Sequence, residues 1–373
     1  MKVCFVVDNL NAQLGGWGRM ATNVAYSMAR QGHEVGFVAT SGESDHPVLH
    51  VPLRQPVLNL KAILHYFLLP ATLLKIRKFV RTYDVVICYD PNPYGILISL
   101  ATLGLPVKIV MYAVGTYSLL TKNPVTNLFI RWAYAHADRI FITSEFVQGE
   151  IKKSGLTIDD YVIAPVGLDP NVFKVDPTSP RVVEGEYLLG VGALKRRKGF
   201  HISIPAFAKI ASEFPNLQYV VVGDQRQTAR FENLKQTAKE LGVEDRVVFL
   251  ERLTDEELLG LYNHAKLFVL IPLTSPDALE GFGMVFLEAN ACGLPVVGAY
   301  NSGAEAAIVD GLNGLLAQPE PDDVARALSQ ILRDPALAKR LSEGGLTRVK
   351  EFHWDRIGDL FIKECEALVT HTS

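Results

Sequence analysis

The sequence predicts two α/β units in tandem, each built on a parallel sheet. Three observations carry that expectation. The chain has 373 residues, more than a single core of ordinary size holds. Short apolar runs alternate with helix-length segments, the rhythm of a parallel sheet covered on both faces. That rhythm breaks at "DPNVFKVDPTSPRVVEGE", rich in Pro, Asp and Ser, and then restarts. The expected division is 1–173, 174–355 and a final segment 356–373. The helix of that last segment, around "WDRIGDLFIKECEALV", is a candidate to return to the first unit.

Taken in order, "KVCFVV" reads as a buried strand, "LGGWGR" as a glycine turn and "MATNVAYSMARQG" as a helix ended by Gly32. "HEVGFVA", "DVVICY", "VKIVMYA", "RIFITS" and "YVIAPV" supply the further strands of the first unit. The second opens with the strand "YLLGVG" and the helix "FHISIPAFAKIASEF". "LQYVVVG", "RFENLKQTAKELG", "RVVFL", "DEELLGLYNHA", "LFVLIPL" and "PVVGAY" continue the alternation. Two such units are expected to enclose a cleft at their strand C-termini, where sheets of this kind bind ligands.

Composition narrows the function classes. The formal net charge is -3, with 49% hydrophobic and 21% charged residues, which fits a globular protein and no general nucleic-acid binder. The charge is unevenly spread. Residues 1–175 carry 16 Lys and Arg against 12 Asp and Glu, and residues 176–373 carry 21 against 28. Cys4, Cys88, Cys292 and Cys365 lie far apart with no metal-type spacing, as expected of buried thiols in a reducing compartment. "MKVCFVVDNL" meets an acid at Asp8 and lacks the pattern of a signal peptide. The longest membrane-like stretch, "AILHYFLLPATLL", is too short to span a bilayer. A cytoplasmic protein is the expectation.

The most informative stretch is "EGFGMVFLEA", Glu280 to Ala289. A helix can begin near Gly283 and end at Gly293, which leaves Glu280 before it and Glu288 inside it. Eight residues of ideal helix span about 12 Å and leave the two positions roughly 80° apart. That separation suits one elongated ligand with hydroxyls at both ends. The N–H groups of Met284 and Val285 would face an anion at the helix start. The plainer alternative is an acid that complements the helix dipole and one exposed surface glutamate.

"VGALKRRKGF" puts Arg196, Arg197 and Lys198 at a strand end, where they read either as a phosphate site or as a solvated basic turn. "VVVGD" ends a strand at Gly223. "LGGWGR" brings Gly15 and Gly16 to a strand-to-helix turn, though without the spacing of a dinucleotide loop.

Together "LGGWGR", "VGALKRRKG", "VVVGD", "LTDEELLGLYNHA", "EGFGMVFLEANACGLPVV" and "GAEAAIVDGLNGLL" resemble the retaining glycosyltransferases of family 4. The resemblance covers nearly the whole chain and is strongest from Gly192 to Leu316. It implies the GT-B fold of two Rossmann-like domains. It also implies a nucleotide-sugar donor and a glycan or lipid-linked acceptor; the sequence has no Asp-x-Asp motif, so no cofactor or metal is expected. Glu280 begins the family's E-x7-E motif and would face the donor sugar, with backbone groups of Phe282 and Gly283 on its hydroxyls. Met284 and Val285 would hold the diphosphate, Glu288 the ribose and Lys198 a phosphate. Gly16 would approach the diphosphate, and Leu253 would border the base.

Two positions depart from the family pattern. Ala193 follows Gly192 where the family often has arginine, which makes Arg197 the candidate substitute. In "MYAVGTYS", Val114 occupies a position where the family often has histidine. The resemblance favours a UDP-hexose over GDP-mannose. The competing reading is a non-catalytic nucleotide-sugar-binding or scaffold protein of the same fold. "VLNLKAILHYFLLPATLLKIRKFVRTY", with Lys75, Arg77, Lys78 and Arg81, reads either as a peripheral contact with anionic membrane or as a packing helix with a solvated basic end. Pro70 is expected to interrupt that helix.

Overall fold

The computed structural model describes all residues except 11–15, 52–59, 227, 276–278 and 371–373; for 16, 17, 60–68 and 228 it describes the backbone alone. The chain divides into two compact units, Met1–Gly167 with Trp354–Ser373, and Leu168–His353.

The first unit begins with β1 (Lys2–Asn9), α1 (Gly16–Arg30), β2 (Glu34–Ser41), β3 (Val48–His50) and α2 (Leu60–Val80). It continues through β4 (Val85–Tyr89), α3 (Ile96–Thr102), β5 (Lys108–Ala113), α4 (Pro124–Ala135), β6 (Arg139–Ile142), α5 (Glu145–Lys153) and β7 (Val162–Ile163). The strands form one seven-stranded sheet in the order β3-β2-β1-β4-β5-β6-β7. Every pairing is parallel, with Val3 opposite both Val35 and Val85. Val3–Val7 of β1 are wholly buried, as expected of a central strand covered on both faces.

The second unit runs β8 (Glu186–Val191), α6 (Phe200–Ile210), β9 (Leu217–Val222), α7 (Thr228–Glu240), β10 (Val247–Leu250), α8 (Asp255–His264), β11 (Leu267–Val269), α9 (Met284–Ala291), β12 (Val296–Ala299), α10 (Ala304–Ala307), β13 (Gly314–Ala317), α11 (Pro321–Arg333) and α12 (Pro335–Arg348). Its six-stranded parallel sheet has the order β10-β9-β8-β11-β12-β13. The chain therefore builds outward from β8 to β10, then crosses back to lay β11 on the other side of β8. The crevice between the C-terminal ends of β8 and β11 is the topological switch point, where doubly wound sheets bind ligands.

The last helix, α13 (Trp354–Thr370), packs on α1 of the first unit. Gly358 lets the two helices approach at Ser27, and Phe361 stacks edge-on against Phe141 with centroids 4.7 Å apart. Its Glu364 pairs with Arg139 at 3.3 Å.

Three local expectations need correction. α1 starts at Gly16, so Trp17, Gly18 and Arg19 lie in a helical turn and are not part of a glycine loop. α2 runs without a break through Pro70; tertiary packing outweighs the lost backbone bond there. β3 and β13 were not anticipated: a three-residue edge strand and a four-residue strand leave too little pattern to read. The four cysteines are free and buried.

Candidate functional site

The site is assembled in the second unit from the loops that follow β8, β9, β10 and β11. After β8 the chain passes Gly192 and tightens into a turn, Arg196–Lys198. Gly199 then enters α6 at φ +73, and a Cβ there would collide with the Ile271 carbonyl. A left-handed residue pressed on a neighbouring backbone admits only glycine. The turn is tied to the loop after β11 by the Leu273 N–H, which donates to the Arg197 carbonyl at 2.7 Å.

The three cations of this turn stand in different surroundings. Arg196 is exposed, Arg197 half-buried and Lys198 buried. The Lys198 methylenes lie against Gly192, which leaves the ammonium to reach across the crevice. It meets Glu280 there, with Lys198 Nζ 2.8 Å from Glu280 Oε2. Arg197 Nη1 also donates to Glu280 Oε2. The Glu280 side chain is only 12% exposed. Burial by itself would raise its carboxyl, but Lys198 and Arg197 together outweigh that and hold it below the ordinary carboxylate value. Two cations on one carboxylate leave the cluster one charge positive.

Behind Glu280 the backbone is held from the far side by Gly303, where a Cβ would overlap the Glu280–Phe282 main chain. Phe282 is buried and its ring lies edge-on to Phe352, with centroids 5.5 Å apart. Gly283 caps α9 at φ +84. Met284 and Val285 form the first turn, whose N–H groups have no partner within any helix. The other end closes as a Schellman motif: the Gly293 and Leu294 N–H groups donate to the Asn290 and Ala289 carbonyls. Asn290 and Asn313 are both buried, and the Asn313 side-chain amide donates a hydrogen bond of 2.7 Å to Asn290 Oδ1 that locks α9 to the segment before β13.

Glu288 lies on the body of α9 and is 4% exposed. It accepts a hydrogen bond of 2.9 Å from the hydroxyl of Tyr262, a buried residue of α8. Gly223 closes β9, its N–H donating to the Leu250 carbonyl at 3.0 Å. Leu253, half-buried after β10, precedes Thr254, which caps α8 reciprocally with Glu257. Thus the structure brings Arg197, Lys198 and Glu280 into contact. It places Gly223, Leu253, Phe282, Gly283, Met284, Val285 and Glu288 on the loops and helix around the same strand ends. In the first unit Gly16 opens α1, while Gly15 lies outside the described residues.

Two polar residues escaped the sequence reading. Tyr262 belongs to "LTDEELLGLYNHA", and its place on the buried face of an amphipathic helix was the available signal. Asp90, which follows β4, is wholly buried. One of its oxygens accepts from the Val114 N–H at 3.0 Å and from the Ser118 hydroxyl, while Oδ2 has no partner among the described residues. Burial pushes its carboxyl up to about 6, against the hydrogen bonds from Ser118, Val114 and Gly115.

Comparison with known proteins agrees with this frame. The family model described as "Glycosyl transferases group 1" matches residues 174–348, and that described as "Glycosyltransferase Family 4" matches residues 14–172. The chain is 31% identical over 236 residues to D-inositol 3-phosphate glycosyltransferase of Acidothermus cellulolyticus, covering 59% of this chain and 51% of that protein. It thus spans about half the length of that relative. Over 364 residues it is 25% identical to an uncharacterized glycosyltransferase of Haemophilus influenzae, covering 95% and 97% of the two chains. Among solved structures, HepE of Anabaena, in complex with UDP and glucose, superimposes with a TM-score of 0.80 at 20% identity, over 98% of this chain and 99% of that one.

Proposed function

Starting from a chain whose two units belong to the GT-B glycosyltransferases, we propose that this protein transfers a hexose, with retention of configuration, from a nucleotide-diphosphate sugar to a glycan or lipid-linked acceptor. The observation that carries the reading is the Lys198–Glu280 contact of 2.8 Å across the β8–β11 crevice, beside the N-terminus of α9.

In this proposal the diphosphate lies between the α9 N-terminus and the Arg197–Lys198 pair. Its charge is met by a cluster that already carries one excess positive charge. Glu280 turns to the hexose hydroxyls and Glu288 to the ribose. The donor phosphate accepts the acceptor's proton on the face it leaves, so no protein base is needed. Catalysis then consists of positioning and of charges set in place before the reaction, in a site with little water. The cations supply the countercharge, and transfer proceeds without an added metal. Phe282, Gly283, Met284 and Val285 contribute backbone donors, Gly223 and Leu253 border the nucleotide, and Gly15 and Gly16 are assigned to the phosphates.

UDP-hexose is the donor to test first. GDP-mannose, named for a mannosyltransferase of Mycolicibacterium smegmatis that is 28% identical over 232 residues, is its competitor. Val114, standing where the family often has histidine, favours a second reading: a nucleotide-sugar-binding protein without transferase activity. A thermal-shift screen with UDP, GDP and their hexose derivatives tests binding, since saturation at a hundred times Kd adds about 2.7 kcal/mol to native stability. Release of the nucleotide in excess chelator, from whichever sugar binds, then separates enzyme from binder. Stabilisation without turnover over any acceptor or water overturns the transferase reading.

A further inference from the structure

The outer face of the helix layer α2–α4 carries a feature that the donor site does not use. These three helices follow β3, β4 and β5, and α3 packs against both α2 and α4. α4 buries Ile130, Ala133 and Tyr134 against the body of the unit. Its opposite face leaves Val125 63%, Leu128 66% and Phe129 44% exposed. The spacing i, i+3, i+4 makes a continuous apolar stripe. Half-buried Trp132 extends it by one turn, and Tyr117, just before α4, is also exposed. On the same layer Leu74 of α2 is 66% exposed. Exposed apolar residues scattered singly are ordinary, but a stripe along one helix marks a contact surface.

Helices α2, α3 and α4 together carry Lys and Arg and no Asp or Glu. Residues 60–135 hold eight Lys and Arg against two Asp. Of the two acids, Asp90 is wholly buried, and Asp84 is half-buried just before β4, where it accepts a hydrogen bond of 2.7 Å from the Lys2 N–H. Lys75, Lys78, Arg81, Lys122 and Arg131 are exposed. An apolar helix face with aromatics at its side, set in a field of cations, fits the headgroup zone of an anionic bilayer. No helix among the described residues is long and apolar enough to cross a membrane, so the contact would lie in the interface plane.

We propose that this face docks the first unit on an anionic lipid surface, with Val125, Leu128 and Phe129 of α4 entering the acyl boundary and the cations of α2 and α4 lying over the headgroups. The proposal stands apart from the donor reading and concerns no residue of that site.

The test is co-sedimentation of the full chain with vesicles of phosphatidylglycerol and phosphatidylcholine, against phosphatidylcholine alone. Binding is expected only to the anionic vesicles and is expected to fall as salt rises. The double variant Leu128→Ser/Phe129→Ser changes exposed residues and should leave the melting temperature and nucleotide binding intact. It is expected to weaken partitioning at least about tenfold, since each side chain loses an apolar contact. Lys78→Glu, a fully independent arm, should weaken it about fivefold. Absence of binding at low salt overturns the proposal, as does equal binding by the double variant. Concentration-dependent self-association abolished by the same variant, without vesicle binding, would assign the face to a second copy of this chain instead.

Discussion

Lys198 Nζ stands 2.8 Å from Glu280 Oε2, and together with the Arg197–Glu280 pair and the Leu273 N–H to Arg197 bond this contact joins the turn after β8 to the loop after β11. Both groups are nearly out of solvent, with side chains 11% and 12% exposed. A buried carboxylate of this kind is stable only while its cations remain.

Replacing Lys198 with alanine therefore has two separable effects. Arg197 still neutralises Glu280, so the fold should survive with a modest loss of stability. The transition state, in contrast, loses a fixed positive charge. By analogy with removal of an oxyanion donor, kcat is expected to fall about 10²–10³-fold, or about 2.7–4 kcal/mol of barrier. Steady-state kinetics beside urea denaturation measures both. Wild-type turnover in the variant would remove Lys198 from the proposed mechanism.

Tyr262 tests the other acid. Its hydroxyl is buried against Glu288, and Tyr262→Phe removes a donor to a charged group at a cost of about 1.5–3 kcal/mol. If Glu288 holds the ribose, losing the group that orients it should raise the nucleotide Kd while kcat stays within a small factor. Calorimetric titration with the nucleoside diphosphate reads this directly. A destabilised variant that binds nucleotide as wild type does would leave Glu288 a purely structural acid.

Gly303 supports the Glu280–Phe282 backbone at a distance too short for any side chain. Gly303→Ala must push that segment away, and overpacking of this sort costs about 1–3 kcal/mol. Activity should fall more than stability, because the displaced residue is Glu280 itself. A parallel Gly311→Ala is the control: Gly311 has a positive φ of 74° but open space around it, so it strains the chain without moving the site. Equal activity loss in both variants would argue against the positioning role.

Much of this was legible in the sequence, for identifiable reasons. Each long buried strand announced itself as an apolar run, and α9 was bracketed by Gly283 and Gly293, whose backbone demands are local. Glu280, Lys198 and Arg197 were legible as candidates through the resemblance of their motifs to the family's, since a charge beside a glycine reads equally well as a solvated turn. Their mutual contact was not, since it depends on which strand neighbours β8, and the crossover to β11 leaves no local trace. α2 misled for the opposite reason: Pro70 signals a break locally, and only packing decides that the helix continues. Asp90 stayed hidden because burial, which makes it unusual, is a property of the folded unit.

Asp90 and Glu280 predict opposite pH dependences in one molecule. The folded-state pKa of Asp90 is raised from 3.8 to about 6. Between those values the native state binds more protons than the unfolded chain, so stability falls as pH rises through the window. The buried charge costs about 3 kcal/mol once both states are ionised, and that cost is absent below the unfolded value. Glu280 behaves conversely. Its folded pKa lies below the ordinary 4.5, so its contribution is fully present above that value and is lost as pH falls through the depressed one. Urea denaturation of wild type, Asp90→Asn and Glu280→Gln from pH 3 to pH 8 resolves the two. The Asp90→Asn chain should gain on wild type as pH rises from 4 towards 8. The Glu280→Gln deficit should stay flat from pH 6 to 8 and shrink on the acid side. A difference between wild type and Asp90→Asn that does not change with pH would mean that the carboxyl titrates alike in both states, and would end the assignment of a destabilising buried charge at the end of β4.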